Sequence, residues 1–193
     1  MPNKISNVVA GKPLSTGAIL VAPLGTALPT TVDTAPNVAF VNTGYIGEAG
    51  VTENNARSVE KIRAWGGDTV KVTQTEHTLT YQFEFIESLN TEVLKTVYGT
   101  ANVTTTAASA SKGTLQSIKI TSDVLPHKSY IFEIKDGDAK VRIVIPDGQI
   151  TEIGETTYSD AAAISYQVTV ECFPDSSAGK AYKYTDDGVK SAA

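Results

Sequence analysis

The chain has 193 residues, 41% of them hydrophobic, and its 16 Lys and Arg residues against 21 Asp and Glu residues give a net charge of −5. This length fits one domain of about 100–200 residues, and the acidic balance opposes tight binding of a polyanion such as nucleic acid. Cys172 is the single cysteine, which excludes an intramolecular disulfide and a metal site made of cysteines.

The N-terminal segment, Met1 to Ala10, has no apolar core followed by a cleavage site of small residues. A run of about 18 apolar residues, as a membrane-spanning helix needs, occurs nowhere in the sequence. We therefore expect a soluble protein that has no signal peptide of its own and no contact with a membrane.

Three stretches of the chain lack hydrophobic periodicity. Pro23 to Pro36 and Asn102 to Gly113 are predicted to be loops, and loops of about 12 residues or more are usually functional or disordered. The segment from Asp175 to Ala193 is polar and is interpreted as a C-terminal extension.

Abundant Thr, Val and Ile residues predict a mainly β fold. The clearest strand covers Thr73 to Ile86, where apolar and polar residues alternate. Val70 and Val72 stand in the opposite phase, so we expect a bulge or a bend near Gln74. The apolar positions of the strand are Leu79, Tyr81, Phe83 and Phe85.

One short helix is predicted after this strand. Asn90 or Ser88 can cap its start, and Gly99 stands where a left-handed C-terminal residue belongs. Its apolar stripe consists of Leu89, Val93, Leu94 and Val97. A helix of about two turns is marginal alone in water, so we expect the stripe to pack on a sheet.

Two further β elements follow in the sequence. Ser129 to Pro146 is predicted to be a hairpin with Asp136-Gly137 as its two-residue turn, a register that places Glu133 opposite Lys140. The last strand is predicted from a second alternating run, whose apolar members are Ile164, Tyr166, Val168, Val170 and Cys172.

Sequence motifs for catalysis, nucleotide binding or metal binding are not found. His77 and His127 are the only histidines, and neither has a second histidine at metal-ligand spacing. Cys172 continues the apolar phase of its strand, so we expect a buried core residue rather than a nucleophile. No catalytic residue, metal site or cofactor is predicted, and we expect the chain not to be an enzyme.

The segment Trp65-Gly66-Gly67 has two interpretations. The indole can serve as a ligand platform or as an interface anchor. Alternatively, the two glycines merely provide a turn with positive φ before the long strand. The sequence leaves both interpretations open.

Several segments, in their order and spacing, resemble a known family: the major tail, or tail tube, proteins of bacteriophages with long non-contractile tails, especially those that infect actinobacteria. The resemblance covers most of the chain and involves no catalytic motif. The segments that carry it are Gly17 to Ala27, Gly44-Tyr45, Gly50 to Thr52, Arg57 to Glu87, Thr91 to Gly99 and Ile145 to Glu155.

The resemblance implies a β-sandwich or barrel-like subunit with one short α-helix and long loops or arms. It implies a single tail tube domain over residues 1–193, with an N-terminal extension and a C-terminal extension from about residue 175. Some relatives add an immunoglobulin-like domain, for which this chain is too short.

The implied function is structural. Copies of the chain would form hexameric rings that stack into the tail tube, and DNA would pass through the lumen without specific binding. The implied partners are other copies, the tape measure protein and the tail-tip and terminator proteins. The implied location is the virion, after synthesis in the host cytoplasm.

Two sets of candidate residues follow from this picture. We expect the wet faces of the two clearest strands to line the lumen, because their carboxylates repel phosphates and none of the positions is basic. These positions are Gln74, Glu76, Thr78, Thr80, Gln82, Glu84, Ser165, Gln167, Thr169 and Glu171. We expect the unpatterned segments Pro23–Asn42 and Gly47–Ala64 to contact neighbouring subunits. The candidate inter-subunit residues are Leu24, Leu28, Val38, Phe40 and Trp65.

The alternative from another functional class is a monomeric carbohydrate-binding or adhesin β-sandwich. In that protein Trp65, Tyr45 and Tyr158 would be the platforms on which sugar rings stack.

Overall fold

A computed structural model describes residues 7–14 and 17–190. It contains ten strands and one α-helix, with a 3-10 turn at Thr100–Asn102 directly after the helix. In chain order the elements are β1 (Ile19–Pro23), β2 (Val41–Asn42), β3 (Ile46–Arg63), β4 (Thr69–Phe85), α1 (Thr91–Tyr98), β5 (Val103–Thr106), β6 (Leu115–Ile118), β7 (Lys128–Asp136), β8 (Ala139–Ile153), β9 (Tyr166–Phe173) and β10 (Tyr182–Asp186).

The strands pair antiparallel throughout and form two packed layers. The main sheet has the order β2-β1-β7-β8-β9-β4-β3, with β10 also paired to β8. The long strand β8 pairs with β7 along its first part and with β9 along its last part, so it belongs to both layers. The ring of Phe132 on β7 lies 5.2 Å from that of Tyr81 and 5.6 Å from that of Phe83, both on β4. Because β4 and β7 are not hydrogen-bonded neighbours, these ring contacts place the two layers face to face.

The core lies between the layers and confirms the two predicted alternating strands. On β4 the four predicted apolar positions are all buried, and on β9 every second residue from Tyr166 to Cys172 is buried. Helix α1 closes one end of this core with Val93, Leu94 and Val97. Apolar burial of this kind contributes about 25 cal/mol per Å² and is the main stabilising term of the fold.

Two predicted residues, Asn90 and Gly99, cap the ends of α1, but Gly99 has a ψ of 139° and so is not in the predicted left-handed helical conformation. The side-chain oxygen of Asn90 accepts a hydrogen bond from the backbone N–H of Glu92 at 3.0 Å. Gly99 ends the helix with a φ of 89°, a conformation that disfavours residues with a Cβ. Leu89 does not join the apolar stripe, because it precedes the helix and is exposed.

The β7–β8 hairpin is present, but its turn is one residue later than predicted. Asp136 pairs with Ala139, so Gly137 and Asp138 form the two-residue turn. Gly137 has a φ of 61°, and a primed turn requires positive φ at its first central position, where glycine costs least. The shift moves each pairing by two residues, and the pairing of apolar with apolar residues is therefore retained.

Three regions of β structure were not predicted, one of them in a separate two-stranded sheet formed by β5 and β6. Gly47–Ala64 was interpreted as an unpatterned segment, yet nearly all of it lies in β3. The predicted loop Asn102–Gly113 contains β5, which pairs with β6. The C-terminal extension contains β10, which pairs with the first part of β8. Among the described residues, the helix is too short and too polar to cross a membrane.

Candidate functional site: a polar sheet face and a projecting hairpin

The residues that most often carry chemistry are dispersed in this fold. Within residues 7–14 and 17–190, no three His, Cys, Asp or Glu side chains come together as a metal site would need. Burial raises the pKa of Cys172 to about 12, so its thiol is a poor nucleophile. His127 pairs with Asp147 at 2.5 Å, and Nε2 of His77 lies 2.9 Å from the side-chain oxygen of Asn55. Each histidine thus has a structural partner.

The wet faces of β4 and β9 form one continuous surface. The two strands are neighbours, and their polar residues lie directly opposite one another across the pair. We call this surface, with its extensions on β3 and β8, the polar face. Its central pairs are Thr80 with Glu171, Gln82 with Thr169, and Glu84 with Gln167. Side chains at such paired positions are close enough to contact each other.

The polar face extends over both neighbouring strands, which the sequence analysis did not predict. On one side β3 adds small polar residues, since Thr52 lies opposite Gln82 and Asn54 opposite Thr80. On the other side β8 adds two longer side chains at its C-terminal end. These are Gln149, opposite Glu171, and Glu152, opposite Thr169. The predicted hairpin ended at Pro146, so the continuation of β8 to Ile153 was not predicted from the sequence.

The charge of the polar face is negative. Glu84, Glu152 and Glu171 lie on it, and the paired positions of β4, β9 and β8 that form it contain no Lys or Arg. The hydroxyl of Ser165 donates to Glu84, and that of Thr169 donates to Glu152 at 3.5 Å. The surface is therefore a set of carboxylates, amides and hydroxyls that partly bond to one another.

One of the predicted lumen-facing residues lies on the other side of the sheet. Ser58 pairs with Glu76, but the next residue of β3, Val59, pairs with Gln74. The predicted bulge near Gln74 is thus confirmed, with Thr75 as the extra residue. It reverses the phase of the strand and turns Gln74 away from the polar face. Glu76 and Thr78 remain in phase with it, at the point where β4 leaves the body of the protein.

Beyond that point β3 and β4 continue as a two-stranded ribbon, which we call the arm. It comprises residues 54–78, and no further strand from the described part of the chain pairs with it, because β9 pairs only with the last part of β4. Nearly every arm residue is exposed. At about 3.3 Å per residue the arm projects roughly 35 Å from the sheet.

The tip of the arm confirms the turn interpretation of the two glycines. The N–H of Ala64 donates to the carbonyl of Asp68 at 2.8 Å, and that of Gly67 to the carbonyl of Ala64 at 3.0 Å. Gly66 and Gly67 have φ values of 114° and 97°, which a residue with a side chain would adopt only under strain. The Trp65 side chain is fully exposed, so the turn does not account for its presence.

The other candidate inter-subunit residues lie between β1 and β2. Val38 is 99% exposed and Leu24 also faces solvent, so both are available to a neighbour. Phe40 is only 8% exposed and packs with Val144 in a second core cluster, against which Leu28 rests. These two residues hold the segment onto its own subunit.

A buried arginine fixes this segment in place. The correct hairpin register places Glu133 opposite Arg142 rather than Lys140. Nη2 of Arg142 lies 2.7 Å from the Glu133 carboxylate. Its Nη1 donates to the carbonyls of Thr31 and Thr34, both at 2.6 Å. The ion pair and the hydrogen bonds of Arg142 thus compensate the desolvation of its buried charge and attach the loop to β8.

The three aromatic residues of the sugar-binding alternative do not come together. Trp65 lies at the tip of the arm, and Tyr45 precedes the opposite end of β3. The length of β3 separates them by about 50 Å. Tyr158 lies in the loop after β8, and a shared stacking platform is therefore not formed.

Comparison with known proteins gives one family. A family model described as "Phage tail tube protein" matches residues 2–193. A search of curated protein sequences found no match.

Three solved structures resemble the fold at low sequence identity. The tube-terminating cap of the anti-feeding prophage has 9% identity, covers 93% of this chain and 95% of its own, and gives a TM-score of 0.47. The sheath-tube complex of the extracellular contractile injection system PVC has 8% identity, coverage of 96% and 100%, and a TM-score of 0.48. The sheath/tube terminator of the same system has 7% identity, coverage of 89% and 96%, and a TM-score of 0.46.

Proposed function

The chain belongs to the phage tail tube protein family, and from this membership we propose that its copies close into hexameric rings that stack into the conduit for DNA ejection. Members of this family are structural components of the phage tail, and so of the virion, and are not enzymes. The proposal concerns how this particular chain builds the tube and which surface meets the DNA.

The observation that carries the proposal is the arm. A two-stranded ribbon is marginally stable in water, and unpaired strand edges are sites for pairing with another chain. Nζ of Lys180 donates to the carbonyl of His77 at 2.5 Å at the base of the arm, and beyond this contact the described residues leave both edges and both faces of the ribbon open. Contact with neighbouring copies would cover this surface, and a head-to-tail contact repeated around an axis closes into a ring.

The polar face supports the proposal for the lumen. A ring would repeat the carboxylates of Glu84 and Glu171 around its axis, with Glu152 at the outer edge of the polar face on β8, and the resulting negative potential would repel DNA phosphates. Hydroxyl and amide groups fill the space between the carboxylates. We assign the lumen to the polar face, including Glu76 and Thr78 but not Gln74.

The finer identity of the virus rests on the sequence resemblance. We propose that the tail is long and non-contractile, as in siphoviruses, and that the phage is similar to those of actinobacteria. The partners would be the tape measure protein and the tail-tip and terminator proteins of the same phage, after synthesis in the host cytoplasm. We propose that residues 1–193 form one tail tube domain with terminal extensions.

Electron microscopy of the purified protein across concentration and salt tests the self-assembly. Rings or tubes of uniform diameter are the expected result. Globular monomers under every condition, including in the presence of tape measure and tail-tip proteins, would show that the proposal is wrong.

A charge reversal tests the assignment of the lumen. Replacing Glu76, Glu84 and Glu171 by Lys should leave folding intact and slow DNA ejection, most strongly at low ionic strength where screening is weakest. The matched control replaces three exposed acidic residues outside the polar face by Lys. They are Glu155, Asp160 and Asp187. Equal ejection rates for the two triple variants would contradict the assignment.

A further inference from the structure

One face of the arm is basic and apolar. Arg57, Val59 and Lys61 alternate along β3 and therefore share one side of the ribbon. On that side Arg57 donates to Gln74 at 2.9 Å, and Val72 lies opposite Lys61. Val59 and Val72 are 51% and 55% exposed. The paired positions of this face carry no carboxylate, so it presents exposed apolar surface flanked by cations.

The tip extends this face with an anchor. Trp65 is fully exposed, and Arg63 beside it donates to the carbonyl of Gly67 at 3.2 Å, which holds its charge over the turn. Tryptophan is enriched among the interface residues that carry much of a binding energy. A surface that binds Trp65 needs an apolar recess, and the rim of that recess should be acidic to match the charge of Arg63.

A groove with these properties lies at the far end of β8. It has a volume of about 440 Å³ and lies between the end of α1, the loop 120–125 and the end of β8. Its exposed apolar residues are Ile120, Val124 and Ile153, and its charged residues are Asp123 and Glu152. An apolar floor with two carboxylates at the rim complements a tryptophan with adjacent basic residues.

A second groove of similar size does not match. It lies between β1 and α1, has a volume of about 410 Å³, and is lined by Lys95 and Lys128 together with Glu92. Docking the arm there would bring its cations against two lysines, and like charges at an interface oppose binding. The charge pattern therefore excludes this second groove as the docking site.

The arm cannot reach the groove of its own subunit. The groove adjoins Gln149–Ile153, whose edge away from β9 carries no strand among the described residues. The arm continues from β3, at the opposite edge of the same layer. The arm also projects away from the end of β8. Ile153 pairs with Val168, which pairs with Phe83, whereas the arm begins on the other side of Thr80 and extends in the opposite direction along β4.

We infer that the arm of one copy docks on a second copy of this chain, with Trp65 seated in the groove between α1, the loop 120–125 and the end of β8. Arg63 lies then beside the acidic rim formed by Asp123 and Glu152. The contact is head-to-tail, so every copy uses one arm and one groove. This inference rests on the proposed self-assembly and adds to it the pair of surfaces that meet.

Disulfide trapping tests the pairing directly. The natural Cys172 is buried and its pKa is raised to about 12, so introduced cysteines react without competition. Full-length Ala64→Cys and Val124→Cys chains, both of which keep Trp65, should give a cross-linked heterodimer when they are mixed under assembly conditions and then oxidised, because Ala64 is exposed and adjacent to the anchor. The control replaces Val124→Cys by Val189→Cys, because Val189 is exposed but follows Gly188, which lies against Asp138 at the other end of β8. The control pair should remain monomeric on a non-reducing gel.

Substitutions give the energetic test. Trp65→Ala should raise the concentration needed for tube formation about thirtyfold, as loss of a hot spot does, with the thermal unfolding of the unassembled chain unchanged. Reversing the rim with Asp123→Lys and Glu152→Lys should weaken assembly as well. Adding Arg63→Glu to the reversed rim should restore part of the loss, which a merely structural effect would not do.

The outcomes separate this inference from the proposed function. If the unmodified chain forms no tubes, the proposed function fails. If the unmodified chain and Trp65→Ala form tubes equally well and no cross-link appears, the docking inference is overturned while the function stands. A third outcome is that the unmodified chain binds duplex DNA at 0.15 M salt, that the double variant Lys61→Glu, Arg63→Glu does not, and that the cysteine pair gives no cross-link. This outcome would assign the basic face of the arm to nucleic acid and would also overturn the inference.

Discussion

The body of this protein and its arm are built from the same two strands in opposite ways. Within the body, the last part of β4 buries every second side chain, from Leu79 to Phe85. Within the arm, the first part of β4 buries none. The body is stabilised by its own core, whereas the arm gains little by folding alone. In the proposed assembly the body supplies its own stability, whereas the arm is covered by another chain.

Truncating a core aromatic residue should separate the two regions most clearly. Phe85 is fully buried and its ring lies 5.1 Å from that of Phe83. Phe85→Ala should lower the free energy of unfolding of the unassembled chain by about 4 kcal/mol, because it removes a large apolar side chain and leaves a cavity. Urea denaturation measures the loss. The matched truncation in the arm, Val72→Ala, should change stability by no more than about 0.5 kcal/mol, and equal losses would refute the distinction.

The buried ion pair gives the next largest effect. Arg142→Met should destabilise the chain by about 3 kcal/mol, because it leaves the Glu133 carboxylate, only 12% exposed, without its partner. It should also release the loop at Thr31–Thr34, as faster amide exchange there would show. Adding Glu133→Leu should recover most of the stability. A double variant as unstable as the single one would mean that packing, rather than the unpaired charge, causes the loss.

A partly buried lysine makes stability depend on alkaline pH. Burial lowers the pKa of Lys128 from 10.5 to about 8, and its Nζ donates to the carbonyl of Lys95 and the hydroxyl of Thr96, both at 3.3 Å. Between pH 8 and 10.5 the unfolded chain binds the proton that the folded chain has released, so stability rises with pH in this window. The cost of burying the charge is fully present below about pH 8.

Lys128→Met removes this charge and tests that account. The variant should be about 2 kcal/mol more stable than the unmodified chain at pH 7. The difference should shrink as the pH is raised to 10. Chemical denaturation at several pH values measures it, and parallel pH profiles for the two proteins would contradict the assignment.

The smallest effect on folding should come from the arm. Val59→Thr together with Val72→Thr should alter the free energy of unfolding by no more than about 0.5 kcal/mol, since both side chains are largely exposed. The same pair should raise the concentration needed for assembly about tenfold, equivalent to about 1.4 kcal/mol. Light scattering against concentration gives this value. Unchanged assembly would mean that this face of the arm stays in solvent.

The body could be predicted from the sequence because its strands are buried on one face only. Leu79 to Phe85 and Tyr166 to Cys172 alternate strictly, and this pattern identifies both the strands and their wet faces. Asn90 and Gly99 likewise mark the ends of α1 by their side-chain and backbone chemistry. Local sequence patterns of this kind are sufficient to predict an element that buries one face in the core.

The arm and the groove could not be predicted in the same way. β3 has two exposed faces along the arm, so buried apolar and exposed polar residues do not alternate there. β8 continues past Pro146 because the β7–β8 pairing is irregular between Tyr130 and Lys128, where a proline can be accommodated. The groove depends on the packing of the loop 120–125 against β8, a contact between residues distant in sequence. Such surfaces are defined by tertiary contacts and, in this account, by other copies of the chain.

Hydrogen–deuterium exchange before and after assembly tests the central claim, which is that the arm is held by other copies. The account predicts that amides of residues 54–78 exchange rapidly in the unassembled chain and at least about tenfold more slowly in tubes. Amides of β9 and of Leu79–Phe85, already protected by the core, should change little. Equal exchange of the arm in monomers and in tubes verified by electron microscopy would contradict the account.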